Sequence, residues 1–416
     1  MDGRPAWKIR LPAPLAESAV ATAVEVAERL RDRTVTGTQA GLEASAGVAV
    51  LYGQLDRLRP DDGWDRTAHA ALADATDDLN GAWSAHPGMF GGLGGAAFAA
   101  SWLSRDGTRY RRLMSTLDTR IVAAAGDRGE ALAARPYGLP ARAWDTIVGL
   151  AGTAGYLLSR AEEPLGVLTG LVRLCQHGPG GPNWFTPADV IFPDSPIARQ
   201  FPDGVLNCGL AHGLPGPLAA LALASRAGVS VAGQEEAILA GASWLLDNRA
   251  DDEWGPNWPF GVSPTGRQGP LAQSGWCYGS PGIARALWLA GVALDDAKIR
   301  TFAVETMTAV YRRPWRERAI GASPGLCHGV GGLLQITLRF ANDTGNPVFT
   351  EAAIDLTERL LEMYEPQRTI GFATIEDDGA RVDRPGLLDG AAGTALALLA
   401  AGAAVEPGWD RLLLLA

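Results

Sequence analysis

The sequence has no surplus of positive charge. Its 46 acidic residues outnumber 36 Lys and Arg, for a formal net charge of −10. That balance excludes the basic face that nucleic-acid binding needs and docking on anionic membranes. Long hydrophobic runs are also lacking. The longest, from Ala391 to Val405, is too short and too rich in glycine to span a bilayer. The N-terminal segment MDGRPAWKIRLPAP lacks the apolar core of a signal peptide. A cytoplasmic protein without membrane insertion is expected. Cysteine is scarce: only Cys175, Cys208, Cys277 and Cys327. In a cytoplasmic chain disulfides are not expected, so each cysteine is either a small core residue or part of a site.

Glycine, by contrast, is abundant, at 52 of 416 residues, and it is patterned. A motif G-x-x-G followed by an apolar run recurs as GGLGGAAFAA from Gly91, VGLAGTAGYLL from Val148 and HGLPGPLAALALA from His212. It returns as YGSPGIARALWLA from Tyr278, HGVGGLLQITLRF from His328 and DGAAGTALALLAAG from Asp389. A weaker copy, EASAGVAVLYGQL from Glu43, lacks the first glycine. A spacing of roughly 50 to 65 residues holds two helices of ordinary length and their loops. The run after each glycine pair is apolar nearly all round, as a buried helix is. Between these runs lie segments with one charged face, at 15–31, 64–81, 109–125, 163–175, 234–246, 296–312 and 349–364. Amphipathic helix then buried helix, seven times over, predicts an all-α fold. The expected architecture is an α/α toroid of seven inner and seven outer helices, one domain over residues 1–416. An open solenoid would show less uniformly apolar inner helices and polar caps at its ends. Residues 176–206, rich in Pro, Gly and aromatics, cannot continue a helix and read as a small irregular or β-containing insertion. A second such loop spans 251–276, with Trp254, Trp258 and Phe260.

The polar residues fall in register with the repeat. Cys277 lies two residues before Gly279, and Cys327 two before Gly329. His212, His328 and Asp389 each stand one before their first glycine, and Asp145 stands four before Gly149. In a ring, equivalent positions at the inner-helix starts converge on one mouth. Two thiolates and an imidazole from among these residues suit a zinc ion. Three protein ligands leave a fourth position open, as in catalytic zinc sites. Cys175 and Cys208 are off the motif position and read as core. His69, on an outer helix, and His86, before a proline, read as ordinary hydrogen-bonded histidines. Asp389 reads as a helix N-cap.

The segments WCYGSPG (276–282), GLCHGVGG (325–332), GLAHGLPG (209–216) and GLLDGAAGTALAL (386–398) resemble the signature motifs of lanthionine synthetase C-like proteins, the LanC cyclases. The resemblance covers essentially the whole chain. It implies an α/α toroid with one zinc ion held by Cys277, Cys327 and His328. It implies thioether ring closure in a dehydrated precursor peptide carrying a leader, by addition of peptide cysteine to dehydroalanine or dehydrobutyrine. It further implies a dehydratase and a transporter as partners, and its length is similar to that of stand-alone cyclases. His212 matches the family's catalytic histidine, Asp145 its aspartate and Tyr278 the tyrosine after the first zinc cysteine. The insertion 176–206 resembles an extension that helps hold the peptide. Two positions depart from the family: Gln273 stands where an arginine is common, with Arg267 as a candidate substitute, and Asp389 stands where a glutamate is common.

The same chemistry with a different thiol, glutathione, occurs in eukaryotic relatives, but the Trp-Cys-Tyr-Gly form favours a bacterial-type cyclase. Toroidal prenyltransferases use an Asp-Cys-His ligand set, which this chain lacks. A zinc-stabilised scaffold without activity would need a fourth protein ligand. Among the side chains in register, His212 is the expected proton donor, because imidazole titrates nearest neutrality.

Overall fold

The computed structural model describes residues 7–31, 41–77, 79, 86–193, 195–320, 323–376 and 379–416. Three expectations run partly outside them: the start of the N-terminal segment (1–6), the end of the outer helix at 64–81 (78, 80 and 81) and position 194 of the insertion. In chain order the helices are α1 (Ala13–Arg31), α2 (Ser45–Leu58), α3 (Trp64–Asp77), α4 (Leu93–Trp102), α5 (Arg111–Ala134), α6 (Leu150–Ser159), α7 (Leu165–Leu174) and α8 (Pro196–Gln200). There follow α9 (Pro215–Arg226), α10 (Gln234–Asp247), α11 (Ser280–Ala293), α12 (Ala297–Arg312), α13 (Trp315–Arg318), α14 (Val330–Thr344), α15 (Pro347–Glu362) and α16 (Ala391–Gly402).

Each glycine motif opens one helix: α2, α4, α6, α9, α11, α14 and α16. Each charged-face segment forms another: α1, α3, α5, α7, α10, α12 and α15. The two classes differ in burial for the reason their sequences differ. All of α16 is buried. By contrast α12 buries only Ile299, Ala303, Thr306, Met307, Ala309 and Val310, a single stripe at helical spacing. Asp296 starts α12 by accepting hydrogen bonds from the Lys298 and Ile299 amides at 2.8 and 3.1 Å, a capping geometry that satisfies otherwise orphaned N–H groups.

The motif glycines are a packing requirement. A Cβ at Gly332 would lie 1.9 Å from the Leu326 carbonyl oxygen, and one at Gly393 would lie 1.7 Å from that of Leu387. The loop before each helix folds back over its first turn, and any side chain there would collide with it.

The chain forms two compact units. The first comprises residues 1–84, 90–116 and 318–409, the second 85–89, 117–317 and 410–416. Within the first, α2 packs on both α4 and α16, and α14 packs on α16. There α3 covers α2, α1 covers α16 and α15 covers α14. Within the second, α9 packs between α6 and α11, with α7, α10 and α12 outside them.

Strands are short antiparallel pairs. The insertion carries β1 (His177–Gly178) paired with β2 (Gly181–Pro182), the short helix α8, and at its end β3 (Leu206–Asn207). β3 pairs with β4 (Gly261–Val262), so the two irregular segments predicted at 176–206 and 251–276 are joined by a common ladder. A third hairpin pairs β5 (Thr374–Ile375) with β6 (Arg381–Val382). No described helix is long and apolar enough to cross a membrane.

Candidate metal centre and acid–base site

The loops that open the buried helices are stitched to one another by main-chain hydrogen bonds. In the second unit the Thr146 amide donates to the Ala211 carbonyl (3.0 Å), and the Ala211 amide donates to that of Cys277 (3.2 Å). In the first, the Leu326 and Cys327 amides both donate to the Leu388 carbonyl, at 2.6 and 3.0 Å, and the Leu387 amide donates to Leu42 (3.0 Å). Within each unit, equivalent motif positions are thereby held at adjacent places.

Three of the predicted side chains meet as expected. The two sulfurs of Cys277 and Cys327 and a ring nitrogen of His328 lie within 4.8 Å of one another. Cys277 is buried, while Cys327 and His328 are half-buried. Two soft sulfur donors and an imidazole match the preference of a zinc-like cation. The other side of the His328 ring supports the same assignment. Its Nδ1 lies 3.6 Å from Oδ1 of Asp389, and metal-bound histidines commonly turn one ring nitrogen to a carboxylate. Asp389 Oδ1 is buried and has no hydrogen-bond partner among the described residues. The reading of Asp389 as an N-cap is therefore corrected: Gly390 occupies the cap position of α16, without a side-chain cap bond, and the Asp389 carboxyl faces the histidine instead.

His212 and Asp145 form a hydrogen-bonded pair, Nδ1 to Oδ2, at 2.7 Å. Asp145 is 1% exposed. Its other oxygen accepts from the Val148 and Gly149 amides at 2.9 and 2.8 Å, so the free N–H groups that open α6 fix the carboxylate. His212 Nδ1 is then the protonated nitrogen, and Nε2 is the outward one. Desolvation pulls the His212 pKa down, but the bond to Asp145, that carboxylate's charge and the nearby Cys277 outweigh it, and the pKa is raised above the ordinary imidazole value. Tyr278 lies beside this pair, its ring centroid 6.5 Å from that of His212.

Several neighbours escaped sequence reasoning. Asn207, 3% exposed, donates through Nδ2 to the Tyr278 hydroxyl at 3.0 Å and accepts the Gly209 amide at 2.8 Å. Phe260 packs against Tyr278 at 5.0 Å between centroids. Both residues lie on the β3–β4 ladder side of the irregular segments, outside the glycine motif, where register gives no signal. Gln273 directs Nε2 to the Cys277 sulfur at 3.7 Å, a neutral donor where an arginine was expected. Arg267 does not replace that arginine: its guanidinium donates to the Gln200 carbonyl at 2.9 Å and lies over Phe201, tying the insertion to the second loop. Cys175 and Cys208 are core residues as expected, each thiol pushed up to about 12 by burial.

A sequence model of the family described as "Lanthionine synthetase C-like protein" matches residues 42–414. "Nisin biosynthesis protein NisC" from Lactococcus lactis subsp. lactis is 24% identical over 299 residues, which is 68% of this chain and 70% of that protein. The solved structure of a protein titled "Nisin cyclase" superposes with a TM-score of 0.78, covering 96% of both chains at 20% identity. That likeness establishes the fold as the all-α toroid expected from the repeat.

Proposed function

Because the chain belongs to the lanthionine synthetase C-like family, whose model spans residues 42–414, we propose that it is a lanthipeptide cyclase, closing thioether rings in a dehydrated precursor peptide. The observation that carries this reading is the convergence of Cys277, Cys327 and His328 within 4.8 Å. A zinc ion held there supplies one thing: a substrate thiol coordinated to it is deprotonated at neutral pH.

The chain's own residues do the rest. Peptide cysteine sulfur adds to the β-carbon of dehydroalanine or dehydrobutyrine, the C=C π electrons move to the amide as an enolate, and the α-carbon then takes a proton. His212 delivers that proton from Nε2, and Asp145 holds the imidazole in the tautomer and charge state that permit it. A raised pKa keeps more of the acid form present near neutrality. Tyr278, oriented by Asn207, donates to the developing oxyanion. Gln273 and Asp389 touch the ligands rather than the substrate. The insertion 176–206 helps hold the peptide, which carries a leader and whose Ser and Thr residues are dehydrated beforehand by a partner dehydratase, with a transporter downstream. The work belongs in the cytoplasm, where thiols stay reduced.

The test is co-expression with precursor peptide and dehydratase, followed by thiol alkylation and mass spectrometry. The parent chain protects peptide cysteines from alkylation without a change in mass. Cys277→Ala loses both metal and protection, whereas His212→Ala keeps the metal and loses at least 100-fold in rate, the lower range for a removed general acid. Normal cyclisation by metal-free Cys277→Ala would refute the mechanism. A peptide mass raised by glutathione would move the chain to the glutathione-adding class, and bound metal without any thiol chemistry would make it a scaffold.

A further inference from the structure

Five of the seven glycine motifs carry a polar side chain at one shared position, four residues before the second glycine. His212, Tyr278, His328 and Asp389 stand four before Gly216, Gly282, Gly332 and Gly393. The degenerate first copy has its own occupant there: Glu43, four before Gly47. The missing first glycine hides it from a motif search, but the register does not. A carboxylate in this ring position, on a chain whose other polar members cluster at the site, calls for a role.

The surroundings of Glu43 supply one. Its Oε1 accepts the Leu388 amide at 2.8 Å. The Leu388 carbonyl in turn accepts the amides of Leu326 and of the ligand Cys327. The next residue, Asp389, places Oδ1 3.6 Å from Nδ1 of the ligand His328. The segment is pinned on both sides of this point. The Leu387 amide donates to Leu42 at 3.0 Å, Thr374 Oγ1 donates to the Asp389 carbonyl, and Gly386 lies against the Glu43 backbone so closely that a Cβ would come within 2.5 Å of the Glu43 carbonyl. Glu43 thus bonds the middle of the short segment 387–389, between main-chain and hydroxyl bonds at its two ends, and that segment reaches Cys327 through its main chain and His328 through a side chain.

We propose that Glu43 is a positioning residue of the metal centre: through Leu388 and together with Asp389, it fixes Cys327 and His328 in ligating geometry. This rests on the metal reading above and adds to it a support drawn from the first repeat, far from both ligands in sequence. Outer supports of this kind are worth about 10- to 100-fold in metal affinity. Glu43 and Asp389 move no proton in this role, and neither touches the peptide.

The experiment uses the full chain stripped of metal, titrated with Co²⁺ by absorbance and with Zn²⁺ against a chromophoric chelator. The parent binds one equivalent, with a thiolate-to-cobalt band. Glu43→Leu, which removes the acceptor for the Leu388 amide, binds about 10- to 100-fold more weakly and shifts that band. Glu43→Gln, which retains an acceptor oxygen, stays within about threefold of the parent, a rescue that loss of bulk packing would not show. Asp389→Asn weakens binding about tenfold by removing the carboxylate beside His328. Folding is followed by far-ultraviolet circular dichroism. If folded Glu43→Leu binds like the parent, the proposal is overturned. If Glu43→Leu does not fold, Asp389→Asn and Glu43→Gln decide it: parent-like affinity for the first, or a tenfold loss for the second, is equally fatal. A parent chain that binds no metal would bring down the metal reading itself, whereas a parent that binds alongside unaffected variants would sink only this inference.

Discussion

At Asp145 a single carboxylate serves a helix start and a histidine at once. Two amides at the opening of α6 hold Oδ1, and Oδ2 faces His212 Nδ1. Asparagine at this position keeps an acceptor for the amides but turns a neutral NH2 group toward the ring. The bond and the charge that raise the His212 pKa then vanish, while the desolvation that lowers it remains. In Asp145→Asn the imidazole therefore deprotonates at lower pH. The alkaline limb of the cyclisation rate, which reports loss of the acid form, moves to lower pH with it. A pH–rate profile on dehydrated peptide, with ¹³C-labelled histidine followed by NMR, checks both, and an unmoved limb would remove Asp145 from the acid–base role. Gln273 shows the same economy on the metal side: an amide N–H to the Cys277 sulfur supplies a hydrogen bond without adding a fixed positive charge.

Among the elements, the helices obey the repeat, and the irregular segments add polar bonds to the aromatic side chains they bury, Trp184, Phe201, Trp258 and Trp276. The loop 251–276 is the clearest case. Ser280, in the first turn of α11, donates to Asn257 Oδ1 at 2.7 Å, and Asn257 Nδ2 donates to Asp252 at 3.0 Å. Arg313, just past α12 and 1% exposed, donates to Asp252 at 2.6 Å and to the Pro256 carbonyl at 2.7 Å. The chain of bonds runs from the end of one helix, through the loop, to the start of the helix that follows Cys277. In Asp252→Ala the Arg313 guanidinium stays buried without its carboxylate, which costs about 3–5 kcal/mol. Ser280→Ala removes one neutral hydrogen bond and costs about 1 kcal/mol. Chemical denaturation of the two variants measures the difference, and equal midpoints would show that the buried pair contributes no more than an ordinary hydrogen bond.

At the scale of the whole molecule, the part of the fold that repeats was readable and the part that does not was only bounded. Helical class and the places of the seven buried and seven covering helices followed from glycine spacing and apolar periodicity, because a buried helix and a covering helix impose different patterns on their residues, whereas the short helices α8 and α13 fall outside that pattern. The meeting of Cys277, Cys327 and His328 was readable because each stands just before the first glycine of a motif. Asn207 and Phe260 lie in segments without period, so their contacts to Tyr278 were not readable, and the link from Glu43 to Leu388 was not, since a hydrogen bond between two repeats leaves no trace in spacing. Asp389 was misread for a related reason: an acid before a helix looks like a cap until the direction of its side chain is known. The metal reading also makes a global claim. Ligands from positions 277, 327 and 328 bind together only when the chain is folded, so metal affinity adds to stability. At free metal one hundred times the dissociation constant the gain is about 2.7 kcal/mol. With unfolding entropy of about 2.1 cal/mol/K per residue, a chain of 416 residues rises about 3 °C in melting temperature. Scanning calorimetry of the stripped protein, with and without added Zn²⁺, reads that shift. Cys327→Ala abolishes it while lowering the metal-free melting temperature little, because the half-buried sulfur has few packing contacts to lose. A parent protein whose melting temperature ignores the metal would mean that the three side chains meet without binding it.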